Sequence, residues 1–199
     1  IEAFKARVTE ERIYNAVGDM MDYVALSRLP MMNKLVYSPG EAVREHIEVL
    51  NGAPDSIVVK VDDLGWGDRI PEKYTCDGSS SMPVISWSRV DGAGSYAVIV
   101  YDPDAPGGVF YHLAVYNIPG NATELKPGTV PGVVLKNSAG SRGWYPPCPP
   151  PGHGDHRYYF LVIALQGTIQ EDVAGVEDLA DALKGRVIAY GALMGVYGR

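Results

Sequence analysis

The chemistry this sequence can offer rests on two histidines, a tyrosine and two aspartates: His112, His156, Tyr158, Asp102 and Asp104. Imidazoles beside carboxylates can bind an anion, move a proton or hold a metal. Asp102 and Asp104 sit in the stretch "DPDAP", where Pro103 and Pro106 each fix one φ angle and restrict the preceding residue. The aspartates are therefore held at a set spacing, and Asp-Pro is also ordinary turn chemistry. One carboxylate is expected to bond backbone N–H groups and the other, Asp102, to face the histidines. A neighbouring carboxylate raises an imidazole's pKa and selects its tautomer. Two cationic imidazoles would then form a small anion site in a chain whose net charge is -7.

Just before His156 the chain stiffens. Pro146, Pro147, Pro149, Pro150 and Pro151 surround Cys148, and Gly143, Gly152 and Gly154 flank them. Prolines donate no N–H, so the remaining backbone donors of the loop stand out as candidates for an anion. A stiff loop also keeps its cavity when empty, which lowers the ordering cost of binding. His153, Asp155, His156 and His112 make a loose set for a metal, with no helix or hairpin to fix them, so no metal and no cofactor is expected. Cys148 reads as a neutral thiol rather than a nucleophile. With Cys76 it makes up the full cysteine complement, and sequence alone leaves their pairing open.

The elements that must position these groups come in two regimes. Residues 1–56 read as a helical N-terminal extension. Ile1, Phe4, Val8, Ile13, Val17, Met20, Met21 and Val24 recur at helical spacing, and Pro30 ends that run. A second helix opens at Ser38, with Val43, Ile47 and Leu50 inward and Gly52 at its close. Residues 57–199 read as a mostly β domain. Strands are expected in "SIVVKVDDL", "PVISWS", "SYAVIVYD", "VFYHLAVYNI" and "RYYFLVIALQG". "VEDLADALKG" is an amphipathic helix closed by Gly185, and "VIAYGALMGVYGR" is a last helix or strand. Strand alternation puts Asp102 on the face of Tyr96, Val98 and Val100, and His156 on the face of Tyr158 and Phe160. It puts His112 with Phe110, Ala114 and Tyr116.

Bulk properties narrow the classes further. With 199 residues, 46% of them hydrophobic and 21% charged, the chain suits an ordinary globular domain plus an appendage. The acidic balance argues against a broad nucleic-acid surface. No apolar run is long enough to span a bilayer. The first residues lack the layout of a signal peptide, and the expected location is cytoplasmic.

Several motifs in order resemble the phosphatidylethanolamine-binding protein family, which includes the Raf kinase inhibitor proteins. They are "IPEKYTCDG", "PVISWS", "VYDPDAP", "FYHLAVYNIP" and "GWYPPCPPPGHGDHRYYF", and the close "ALMGVYGR" resembles prokaryotic members. The resemblance covers roughly residues 57–199. It implies a β-sandwich with a few peripheral helices and a small anion-binding cavity at one end. Carried onto this sequence, Asp102, Asp104, His112, His156 and Tyr158 would line the cavity. Pro149 and Pro150 would form one wall, with Ala105 and Pro106 opposite. In the family layout Cys76 and Cys148 both flank this pocket, which makes a disulfide an alternative to the free thiol.

The resemblance implies a non-enzymatic protein. It would bind a phosphate or phosphorylethanolamine-like anion and modulate a protein partner, a kinase or a serine protease. Protease inhibition through residues 78–82 or the Pro-rich loop is the second reading, and a phosphoryl or acyl hydrolase is the third. The N-terminal extension is left as a dimer contact, a lid or a tether, so a homodimer stays open.

Overall fold

A computed structural model describes Val43 and residues 46–199. The expected first helix lies outside the described residues. Of the second, Val43 is helical and buried, and a 3-10 turn at Glu48–Leu50 buries Leu50.

Two antiparallel sheets carry the fold. The larger has the order β6-β4-β3-β7-β8, from strands β3 (Ser95–Asp102), β4 (Phe110–Pro119), β6 (Val133–Val134), β7 (His156–Leu165) and β8 (Val187–Tyr197). The smaller has the order β1-β2-β5, from β1 (Val59–Val61), β2 (Ile85–Trp87) and β5 (Glu124–Leu125). Where a few peripheral helices were expected, the described residues hold one bounded α-helix, α1 (Val176–Leu183), and 3-10 turns at Glu48–Leu50 and Glu72–Tyr74. The last segment, left between helix and strand, is β8, which pairs with β7 from His156↔Tyr197 to Leu165↔Val187.

The large sheet is covered on both faces, which is why β3 is buried at every position. Its even-numbered residues in β3 and β7, among them Val98, Val100, Phe160 and Val162, pack with Val59, Ile85, Trp87 and Leu125 of the small sheet. The odd-numbered ones, among them Ile99, Tyr101, Leu161 and Ile163, pack with Leu179 and Leu183 of α1 and with Leu50. The core is therefore two layers, one on each side of the central β3–β7 pair.

Alternation fails at one position that matters. In the β3–β4 ladder Val100 pairs with Leu113, but Tyr101 pairs with Tyr111. His112 is the extra residue of a bulge, and a bulge re-aims side chains. Simple alternation groups His112 with Ala114 and Tyr116, which pack on the α1 side. The bulge instead brings its ring to the opposite face, 5.2 Å from the Tyr158 ring and 4.7 Å from Phe110.

Candidate functional site

A cavity of about 210 Å³ opens where β3 ends and β4 and β7 begin. Asp102, the last residue of β3, supplies its carboxylate wall. Asp102 Oδ1 accepts the Asp104 N–H at 2.7 Å, a turn-closing bond across Pro103. Its Oδ2 faces His156 Nδ1 at 2.7 Å, with both side chains buried. Burial pushes the Asp102 carboxyl above its usual range, against the opposing pull of His156 and the Asp104 N–H.

His156 is engaged on both nitrogens. Its Nε2 lies 2.6 Å from His153 Nδ1, so Asp102, His156 and His153 form a continuous chain. His153 is an exposed residue between Gly152 and Gly154, both at positive φ (77° and 85°), which lets the loop turn sharply enough to bring His153 back over His156.

Asp104 turns the other way. Its carboxylate accepts the Arg157 N–H at 2.8 Å and grips the guanidinium through Nε at 2.9 Å and Nη2 at 2.8 Å. Burial alone would raise its pKa, but the Arg157 bonds outweigh that and hold the carboxyl below its ordinary value. Asp104 is not among the residues that line the cavity. It pins the Asp-Pro turn to β7, while the turn's own bond to Asp102 runs through the Asp104 backbone N–H.

His112 departs from the cationic expectation. Its Nδ1 lies 2.8 Å from the Tyr145 carbonyl oxygen, and the Tyr145 N–H donates back to the His112 carbonyl at 2.9 Å. Among the described residues no carboxylate bonds the ring. Burial dominates and pushes its pKa down to about 4, so the ring is neutral near pH 7. Its Nε2 is buried with no hydrogen-bond partner among the described residues. The Tyr158 phenol is pushed up by burial and keeps its proton. No hydrogen bond engages its hydroxyl among the described residues.

The proline loop forms the far wall with Cys148, Pro149 and Pro150. Cys148 is not a free thiol: it is bonded to Cys76, 72 residues away in sequence. The loop is fastened at further points. The Cys76 N–H donates to Pro147 O at 3.1 Å, the Gly152 N–H to Arg199 O at 3.0 Å and the His153 N–H to Pro150 O at 3.1 Å. Two of these bonds occupy loop N–H groups that the sequence offered as donors, those of Gly152 and His153. Arg199 also bridges to Asp77, next to Cys76, at 3.1 Å.

The fold thus brings Asp102, Ala105, Pro106, His112, Pro149, Pro150, His156 and Tyr158 to one cavity, and leaves Asp104 outside it. It adds Phe110, Tyr145 and Cys148. Phe110 was detectable, since alternation already put it on the face of His112. Tyr145 carried no separable signal, because its contribution is a carbonyl. No cluster of three or more His, Cys, Asp or Glu suited to a metal occurs among the described residues.

A family model described as phosphatidylethanolamine-binding protein matches residues 61–198. A UPF0098 protein of Methanothermobacter thermautotrophicus is 40% identical over 140 residues, 66% of this chain and 91% of its own length. The crystal structure of a phosphatidylethanolamine-binding protein homologue from Chlamydia trachomatis superposes with a TM-score of 0.67 at 35% identity, covering 73% of this chain and 99% of that one. YbcL of Escherichia coli superposes with a TM-score of 0.65 at 30% identity, covering 72% and 98%.

Proposed function

This chain belongs to the phosphatidylethanolamine-binding protein family, alongside prokaryotic UPF0098 relatives, and from that premise we propose that its cavity binds a small phosphate-like oxyanion without turning it over. The observation that carries this reading is the preformed polar lining of the cavity. The Tyr158 hydroxyl and the His112 and His156 rings border a space of about 210 Å³, with Asp102 holding His156 in place. That space is below the roughly 300–1,000 Å³ of sites for drug-sized ligands. It suits a headgroup or a free anion, not a whole lipid.

Retention of the bound group, rather than reaction, is supported by the state of Cys148. Its sulfur is locked to Cys76 and supplies no thiolate. The protein then acts by occupancy, through a rigid surface offered to a protein partner. The Cys76–Cys148 bond supports an oxidising compartment, or the cytosol of a hyperthermophile, over the cytoplasm of an ordinary cell.

Histidine NMR tests the binding directly. Inorganic phosphate added to the folded protein should shift the His112 and His156 ring resonances in a saturable manner. Spectra that stay unchanged at high phosphate, with the protein folded, would rule the reading out.

A further inference from the structure

His112 has one ring nitrogen engaged and one open. Nδ1 faces the Tyr145 carbonyl oxygen at 2.8 Å. A carbonyl only accepts, so Nδ1 carries the proton. In the neutral ring Nε2 then has a lone pair and no hydrogen. Burial favours that neutral form. Nε2 is buried and unpartnered among the described residues, while the ring lines the cavity.

The groups around it are of opposite kind. Tyr158 on β7 presents an O–H. His156, also on β7, is held between Asp102 of β3 and His153 of the loop. Tyr145 contributes its carbonyl, already paired with Nδ1. The Asp104–Arg157 pair lies outside the lining. The cavity therefore sets a donor, the Tyr158 hydroxyl, against an acceptor, His112 Nε2.

An oxyanion with no hydrogen presents only lone pairs. Beside His112 Nε2 it would leave two acceptors facing each other in a buried site. An oxyanion that keeps one O–H can donate it to Nε2 and accept from Tyr158 with its other oxygens. We propose that the pocket takes oxyanions that carry an O–H group, and that His112 Nε2 is the acceptor that selects them. The inference rests on the anion-pocket reading above. Inorganic phosphate near neutral pH and phosphomonoester monoanions belong to this class. Sulfate and phosphodiesters do not.

Calorimetry on the full chain with inorganic phosphate, sulfate and dimethyl phosphate near pH 7 separates the cases. Phosphate should bind at least about tenfold more tightly than either of the others, the scale set by leaving a buried acceptor unpaired. Dimethyl phosphate carries the same single charge as dihydrogen phosphate, so charge alone does not produce that gap. Methyl phosphate should bind more tightly as pH falls through about 6, where a phosphomonoester gains its proton. Equal affinity for phosphate and sulfate overturns the selection and leaves the anion pocket standing. Binding of none of the three overturns both.

His112→Gln offers either an amide oxygen or an NH2, so its phosphate-to-sulfate ratio should fall towards one while phosphate still binds. An unchanged ratio removes Nε2 from the argument. A structural defect would weaken both anions together and leave their ratio alone. Nitrogen NMR of the unmutated protein gives a reading that does not depend on the variant. His112 Nε2 should carry no proton in the empty protein, and its resonance should move with phosphate but not with sulfate. A protonated Nε2 in the empty protein overturns the proposal.

Discussion

Replacing His112 with a side chain that does not titrate should flatten the acid side of the stability curve. An unfolded chain protonates this histidine near its ordinary pKa of 6.5, whereas the folded protein resists until about pH 4. Between those values the unfolded state binds more protons. Stability therefore falls as pH falls, at about 1.4 kcal/mol per pH unit. Over the whole window the loss is about 3 kcal/mol, complete below pH 4. Asp102 works in the opposite sense. Its carboxyl is raised by burial, so the native state takes up that proton first and gains stability as pH falls. The wild-type curve mixes both effects, and the difference between wild type and His112→Gln isolates the histidine. Urea unfolding followed by tryptophan fluorescence, in phosphate-free buffer, reads it. The stability of wild type minus that of the variant should shrink by about 2–3 kcal/mol from about pH 7.5 to about pH 4.5. Parallel curves across that range, or an NMR titration of His112 near pH 6.5, would refute the reasoning.

Other perturbations probe the rest of the frame. Reducing Cys76–Cys148 opens a cross-link spanning 72 positions, which chain entropy values at about 4 kcal/mol, and it frees the wall that Cys148 contributes. The urea midpoint should drop and phosphate affinity should weaken, so a midpoint unmoved by dithiothreitol contradicts this. Asp104→Ala leaves the Arg157 guanidinium without its carboxylate and should cost about 1.5–3 kcal/mol, with phosphate affinity within a few-fold of wild type. Loss of binding in a folded Asp104→Ala protein would put that carboxylate inside the site. His153→Ala releases His156 Nε2 and should tighten phosphate binding a few-fold; weaker binding would make His153 a direct contact.

The sequence exposed the strands well and their irregularities poorly, for a physical reason. β3 matches "SYAVIVYD" residue for residue, because a strand covered on both faces is a continuous apolar run bounded by turn residues. Asp102 followed from alternation along that run. The bulge at His112 did not, since it arises from how β4 slips against β3 and leaves no mark within β4 alone. β8 was ambiguous because Gly191 and Gly195 dilute its pattern, yet both glycines have a reason. A Cβ on Gly191 would run into the Ile57 carbonyl, and one on Gly195 would meet Ile70 and Leu64 at 2.8 and 2.9 Å. The two aspartates of "DPDAP" could not be told apart fully, because Arg157 claims Asp104 from a strand 53 residues away.

The proline loop has a consequence beyond stiffness. Each proline contributes a carbonyl and no N–H, so Pro149 and Pro150 offer acceptors and shape rather than donors. The N–H groups of Gly152 and His153 turn to Arg199 and Pro150, and Tyr145 gives its carbonyl to His112. A donor for an anion comes from Tyr158 of β7, since the His156 Nδ1 proton turns to Asp102. The loop sets the tautomer of His112 from the other direction: by supplying a fixed carbonyl to Nδ1, it leaves Nε2 as a lone pair. A loop that offered an N–H at Tyr145's carbonyl position would protonate the opposite nitrogen and invert the hydrogen-bonding preference of the cavity. In this fold the proline run and the bulged histidine act as one device, with the wall deciding which end of His112 the bound group meets.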